Sequence, residues 1–310
     1  MDKKVIVMGY HNIGCRGLKL LIARGVKVVA LFSHHDDPKE LCWFDSVVKL
    51  AEAHKIPVYY PEDPNTPEWI KLVRSLAPDV IFSFYYRKML SPELLEIPKF
   101  GAVNAHGSLL PKYRGRSPVN WQIVRGETES GITLHYMVRK ADAGDIVGQR
   151  PITIGPDDTA VDVFHKIEPA FEALLAEKLD GILSGTAPRL PQDITKGNYC
   201  GGRKPEDGKI IWMQTARAIH NLVRAVTTPY PGAFCGLAGK QIMIWKTKCS
   251  DQEIVGQERL TPGTVFRHYK SLWVKAGTGA LQILEVSIAG QEHAPHHPPE
   301  SLLKVKDLLN

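Results

Sequence analysis

The feature that most constrains the fold is a regular alternation in the N-terminal half. Short apolar runs at 4–8, 26–32, 57–60, 79–84 and 101–106 alternate with stretches of helical character at 14–24, 43–54 and 67–76. A strand that is apolar along its whole length is covered on both faces, and helical crossovers are what cover it. The pattern predicts an open parallel α/β sheet whose ligands bind beyond the carboxyl ends of the strands. Segments that directly follow strands, at 9–17, 84–90 and from 106 onward, therefore mark the functional edge. Of the 310 residues, 44% are hydrophobic and 23% charged, as in ordinary globular chains. No apolar run approaches the roughly 20 residues of a membrane helix.

The last of these strands runs into Asn104-Ala-His106-Gly-Ser-Leu-Leu-Pro-Lys-Tyr-Arg-Gly-Arg116. Side chains two apart on a strand share a face, so Asn104 and His106 point the same way. Gly107 and Ser108 then break the strand, leaving a polar pair at its mouth. An amide and an imidazole placed together can hold a carbonyl oxygen that becomes an oxyanion. The segment Ala141-Asp142-Ala-Gly-Asp-Ile146 supplies a carboxylate, which in proximity favours imidazolium over imidazole. This is equipment for acyl transfer without a covalent nucleophile. Each residue alone reads as a structural polar group; the set inside one motif points to catalysis.

That run, with Asp142 in a D-x-G-x-I context, resembles the signature of the folate-dependent formyltransferases. The similarity continues through Ile211-Trp212, Ile219-His-Asn-Leu-Val-Arg224 and Pro229-Tyr-Pro-Gly-Ala-Phe234. The resemblance implies a Rossmann-like catalytic domain over 1–190, a linker over 191–209 and an OB-like domain over 210–310. The residues support the same division. A Gly-, Pro- and Lys-containing stretch covers 184–209, helices are expected at 159–183 and 215–227, and short apolar runs separated by turns over 233–289 suggest a small β-barrel. The resemblance further implies 10-formyltetrahydrofolate as formyl donor and no metal. It assigns catalysis to Asn104, His106 and Asp142. It places the donor against Lys88, Met89, Leu90, Arg116, Val138, Arg139, Lys140, Ala141 and Asp142.

Gly9-Tyr-His-Asn-Ile-Gly14-Cys-Arg-Gly17 occupies the place of a dinucleotide fingerprint, but it is not G-x-G-x-x-G and has no matching acidic ribose partner. This speaks against NAD. Tyr10 and His11 are expected to shape an acceptor pocket. A Tyr-His here is similar to the family members that act on UDP-4-amino-4-deoxy-L-arabinose, an acceptor in lipid A modification. Gly201-Gly-Arg203-Lys204 offers backbone and charge to a diphosphate. Asn221 and Arg224 are further substrate candidates. The expected acceptor is thus a nucleotide-linked amino sugar. A methionyl-tRNA formyltransferase and a non-catalytic folate- or nucleotide-binding module are the alternatives. Net charge is +6, and residues 203–310 hold 14 Lys/Arg against 9 Asp/Glu. So modest a surplus weighs against an RNA partner, whose phosphates demand several cations. The intact Asn/His/Asp set weighs against a mere binding module.

The 5 cysteines are scattered and lack C-x-x-C spacing, and the N-terminus lacks the apolar stretch of a signal peptide. A reducing, cytoplasmic location is expected. His293, His296 and His297 read as a Pro-rich surface segment in preference to a metal site.

Overall fold

The computed structural model describes residues 3–38, 40–250, 254, 256–290 and 297–310. His293 and His296 lie outside the described residues. In chain order the elements are β1 (Lys4–Gly9), α1 (His11–Ala23), β2 (Lys27–Phe32), α2 (Val47–Ala53), β3 (Val58–Tyr59), α3 (Pro67–Leu76), β4 (Val80–Phe84), α4 (Pro92–Leu95), β5 (Ala102–His106) and β6 (Arg114–Gly115). They continue with α5 (Pro118–Val124), β7 (Glu129–Tyr136), β8 (Ile146–Thr153), α6 (Ala160–Ser184), β9 (Tyr199–Cys200) and α7 (Ala216–Val226). The chain ends in β10 (Ala233–Leu237), β11 (Lys240–Cys249), β12 (Val265–His268), β13 (Ser271–Lys275) and β14 (Ala280–Ile288).

These elements form two compact units. One comprises Met1–Pro118, Glu129–Thr153 and Phe164–Gly201; the other comprises Val119–Thr128, Ile154–Val163 and Gly202–Asn310. The division differs from a plain 1–190 domain and a 191–209 linker. Two short segments from the middle of the chain pack with the C-terminal unit, and the chain changes unit at Gly201–Gly202.

The first unit is built on a seven-stranded sheet in the order β3-β2-β1-β4-β5-β7-β8. β1 to β5 run parallel, as the alternating pattern requires, while β7 and β8 are antiparallel additions. β4 is buried at all five positions, which explains why it reads as an apolar run broken only by Ser83. Ile6, Met8, Phe32, Ile81 and Leu94 join one core cluster, and Leu90 and partly buried Met137 pack in it too. The addition of β7 makes β5 an interior strand. Asn104 thereby has Ser83 of β4 on one side and His135 of β7 on the other.

The second unit carries an antiparallel sheet in the order β10-β11-β14-β13-β12. Its two edge strands are joined by the end of the chain. Asp307 and Leu309 bond to Val265 and Gly263 at the β12 side, while Asn310 exchanges two backbone bonds with Gly236 of β10. The tail thus closes the sheet into the small barrel expected from the repeated short runs, and no edge is left open there. α7 packs beside β11 and is capped by the Thr215 hydroxyl. Among the described residues no helix is long and apolar enough to cross a membrane.

Candidate active site

His106 ends β5 with its ring almost fully buried. Its Nε2 is 2.8 Å from the carbonyl oxygen of Tyr113. A carbonyl only accepts, so Nε2 carries the hydrogen and Nδ1 is left to face Asp142 Oδ2 at 3.6 Å. That same carboxylate oxygen accepts a 2.8 Å bond from the Gly115 backbone N–H. The other oxygen, Oδ1, lies 3.4 Å from His135 Nε2 and 3.5 Å from Asn104 Nδ2. Asn104 and His106, two residues apart on one strand face, therefore converge on a single carboxylate. The structure brings together the three residues that the motif singled out.

Two loops make this possible. The turn carrying Asp142 is pinned by Gln192, whose amide donates to the carbonyls of Asp142 and Gly144. Gly144 has no room for a side chain, since a Cβ there would overlap the Tyr136 carbonyl. Asp142 itself has φ 51°, a left-handed conformation that non-glycine residues adopt at a cost. The 113–117 loop supplies both backbone partners, one for His106 and one for Asp142.

Electrostatics at the site run against the expectation that Asp142 keeps His106 protonated. Burial lowers the His106 pKa below the ordinary imidazole value, and it outweighs the upward pull of Asp142 and the Tyr113 bond. His106 is neutral at rest, with a lone pair on Nδ1. Burial alone would raise the Asp142 carboxyl, but the positive charge that His106 and His135 carry when protonated, together with the Gly115 N–H, pulls it below the usual carboxylate range.

Sequence reasoning missed His135. It sits on β7 directly opposite Asn104, with Nδ1 bonded to the Tyr136 carbonyl at 2.9 Å. The signal available was a histidine in an otherwise buried run; no spacing rule connects it to the Asn104 motif.

For the proposed donor segments the placements vary. Leu90 is buried, whereas Lys88, Met89, Arg116, Val138, Arg139 and Lys140 are exposed and Ala141 is half-buried. The 88–90 and 137–142 segments approach each other, since Leu90 and Met137 share the core cluster. Asn65 clips the first segment by bonding the Met89 carbonyl and the Ser91 N–H. Exposed Met89 and Val138 beside main-chain groups, with a buried Gln192 Oε1 that has no partner, fit a flat ring rich in donors and acceptors.

Tyr10 and His11 follow β1 at the carboxyl edge. Tyr10 donates to Asp36 at 2.7 Å and has the Arg87 guanidinium 4.6 Å above its ring. His11 is enclosed by Trp43, Phe44, Tyr85 and Phe164, with ring centroids 4.4–5.9 Å away. Burial pushes its pKa down to about 3, so this imidazole is neutral throughout the physiological range. Arg203, Asn221 and Arg224 belong to the second unit. Arg203 stacks on Trp121 at 4.6 Å and donates to the Asp207 carbonyl. Asn221 and Arg224 are buried, and Arg224 spends its guanidinium on Asn221 Oδ1 and on the carbonyls of Gly155 and Asp158. These two expected substrate residues are engaged as an internal clamp. Among the described residues no group of three or more potential metal ligands occurs.

Residues 4–179 match the family model described as formyl transferase, and residues 203–297 match that of the formyl transferase C-terminal domain. The chain belongs to the formyl transferase family. The fold is also that of solved relatives. An N-formyltransferase from Helicobacter canadensis, in complex with folinic acid and dTDP-3-aminofucose, is 23% identical with a TM-score of 0.72, covering 91% of this chain and 98% of that one. WlaRD, a sugar 3N-formyl transferase in the presence of dTDP and 5-N-formyl-THF, is 21% identical at TM-score 0.69, with coverages of 93% and 98%. HypX from Aquifex aeolicus, in complex with tetrahydrofolic acid, is 16% identical at TM-score 0.61, and 99% of this chain spans 50% of that larger one. At these identities the likeness is one of fold.

Proposed function

We propose that this formyl transferase moves the formyl group of 10-formyltetrahydrofolate to the amine of a nucleotide-linked amino sugar, with UDP-4-amino-4-deoxy-L-arabinose the first candidate acceptor. The observation that carries the reading is the convergence of Asn104 and His106 on Asp142 inside a chain of this family. The donor supplies an activated formyl carbon held on a nitrogen leaving group. Solved sugar N-formyltransferases of the same fold, crystallised with folates and dTDP or a dTDP-amino sugar, support the acceptor class. The aromatic surroundings of His11 suit the weakly polar face of a sugar.

The protein's own groups divide the work as follows. The Asn104 amide donates to the oxygen that gains charge as the amine adds to the formyl carbon. The lone pair on His106 Nδ1 takes the proton lost by the amine, and the ionised Asp142 stabilises the imidazolium so formed. As the bond between the formyl carbon and the donor nitrogen breaks, the same Nδ1–H returns its proton to that nitrogen. One N–C bond forms, one breaks, and one proton is shuttled, so the residues end as they began.

The test is incubation with 10-formyltetrahydrofolate and a panel of UDP- and dTDP-amino sugars plus charged initiator tRNA, with products weighed by mass spectrometry. A sugar nucleotide gaining one formyl group supports the reading, and the identity of that sugar selects the acceptor. Formylation of the tRNA alone overturns it.

A further inference from the structure

Three cationic side chains are buried among the described residues, namely Arg114, Arg224 and Lys275, at 7%, 6% and 7% exposure. Two of them are matched. Arg224 donates to Asn221 and to two carbonyls, and the Lys275 ammonium donates to the carbonyls of Ala276 and Gly279. Arg114 is different: its Nε is buried with no hydrogen-bond partner. A guanidinium presents five donors in a fixed planar fork, and in Arg114 the Nε–H of that fork has no acceptor. Buried charges are otherwise paired, and one left unpaired is strongly unfavourable.

The surroundings say what it is held for. Tyr113, on one side, gives its carbonyl to His106; Gly115, on the other, gives its N–H to Asp142. Residues 113, 115 and 117 all have left-handed φ, at 57°, 98° and 52°. At the non-glycine Tyr113 and Ser117 this is backbone strain, which persists where the surrounding structure enforces it and gathers at functional sites. β6 is clamped on β9 so closely that a Cβ at Gly115 would overlap the Cys200 carbonyl. Arg114 is thus fixed on a rigid two-residue strand between the two backbone partners of the reacting centre.

We propose that Arg114 is an anion receptor, its guanidinium fork taking anionic oxygens of a ligand bound beside His106 and Asp142. A diphosphate or a carboxylate matches the planar fork equally. The first would come from the nucleotide, the second from the glutamate tail of the folate. The proposal rests on the formyl-transfer reading only for the choice of probes.

Arg114→Met and Arg114→Lys test it by thermal melts of the free proteins and by calorimetry with pyrophosphate, UDP, 5-formyltetrahydrofolate and a pteroate analogue lacking glutamate. A receptor waiting for its anion predicts that free Arg114→Met melts no lower than wild type. It also predicts a loss of at least about 10-fold in affinity for one class of anion, the size of one charge-assisted contact. A loss for pyrophosphate and UDP assigns the diphosphate. A loss for the folate but not for the pteroate assigns the carboxylate. Arg114→Lys should retain charge but lose the fork, giving an intermediate affinity. A lower melting temperature or failure of Arg114→Met to fold identifies a structural cation and overturns the proposal, as do unchanged affinities in all arms. Wild-type protein that binds neither UDP nor folate sinks the formyl-transfer reading instead, while the melts and pyrophosphate still decide Arg114.

Discussion

Asn104 and His135 stand directly opposite each other on β5 and β7, with the amide nitrogen of one 3.1 Å from Nε2 of the other. His135 donates from Nδ1 to the Tyr136 carbonyl, so in the neutral ring Nε2 is the acceptor. It therefore takes one hydrogen of the Asn104 amide and fixes which way the amide points. The second hydrogen faces Asp142 at a long 3.5 Å and is the one a substrate oxygen can claim. His135 is a positioning residue. His135→Phe is expected to lower kcat roughly 10–100-fold, less than the 10²–10³ lost when an oxyanion donor itself is removed. KM should move little, and His135→Gln, which restores an acceptor, should recover part of the loss. Equal losses in the Phe and Gln variants would reduce His135 to a packing role.

His106→Ala removes the proton shuttle. Turnover should fall by about 10²–10⁴, the range for one acid–base group, while ligand affinities stay near wild type because the group acts in the transition state. Steady-state kinetics beside calorimetry separates the two. A variant with normal kcat would take His106 out of the mechanism.

Asp142→Asn should lower the His106 pKa further below its already depressed value. The carboxylate is the main upward influence on a ring that burial pushes down. Titration of the His106 ring by NMR in both proteins checks the sign. A higher pKa in the variant would mean that Asp142 does not stabilise the imidazolium.

Much of this was legible in the sequence, and the exceptions have physical causes. Parallel strands buried or half-buried at most positions are largely apolar, so β1, β2, β4 and β5 stand out, and α3 forms at the predicted 67–76 under Pro67. β7 did not stand out. Its buried positions include Ser130, Thr133 and His135; the last two are hydrogen-bonded to backbone carbonyls, while the Ser130 hydroxyl is buried without a partner. No periodicity encodes such a strand. The assignment of 119–128 and 154–163 to the second unit was equally invisible, because it rests on contacts such as Asn120 to the Ala225 carbonyl, far apart in sequence. The same is true of Arg224, whose place in a matching motif suggested a ligand when its partners are carbonyls of its own unit.

Acid should destabilise the protein from about pH 6.5 downward, the ordinary histidine value. The buried His11 has its folded pKa pushed down to about 3, so below 6.5 the unfolded chain binds a proton that the folded chain refuses. The stability that neutral His11 provides is present above pH 6.5 and declines as pH falls toward 3, with a loss of about 2 kcal/mol by pH 5 for this one group. His106 acts in the same sense, since its folded pKa is also lowered. Asp142, held below the usual carboxylate range, adds a loss only under about pH 4. Urea unfolding at pH 7.5, 6 and 5 should show this slope, and His11→Phe should flatten it. A flat wild-type profile would mean that His11 protonates freely in the folded protein.

Arg224→Ala should act on stability and leave the affinity for UDP unchanged. The guanidinium ties α7 to the 155–158 loop through the carbonyls of Gly155 and Asp158, at 3.3 and 2.7 Å, and holds Asn221 Oδ1 at 2.9 Å. Next to it His220 bonds Thr247 and reaches the Pro156 carbonyl, so α7 reads the same loop with two side chains. Truncation strands one buried and two partly buried acceptors and opens a void, and charge-assisted bonds of this kind contribute about 1.5–3 kcal/mol each. The losses overlap, because the freed groups relax together, so a total of about 2–4 kcal/mol is expected. Urea unfolding measures this directly, and UDP calorimetry on the folded fraction tests the competing assignment. If Arg224→Ala keeps wild-type stability and loses UDP binding, the clamp is incidental and the residue belongs to the substrate site that its motif first suggested.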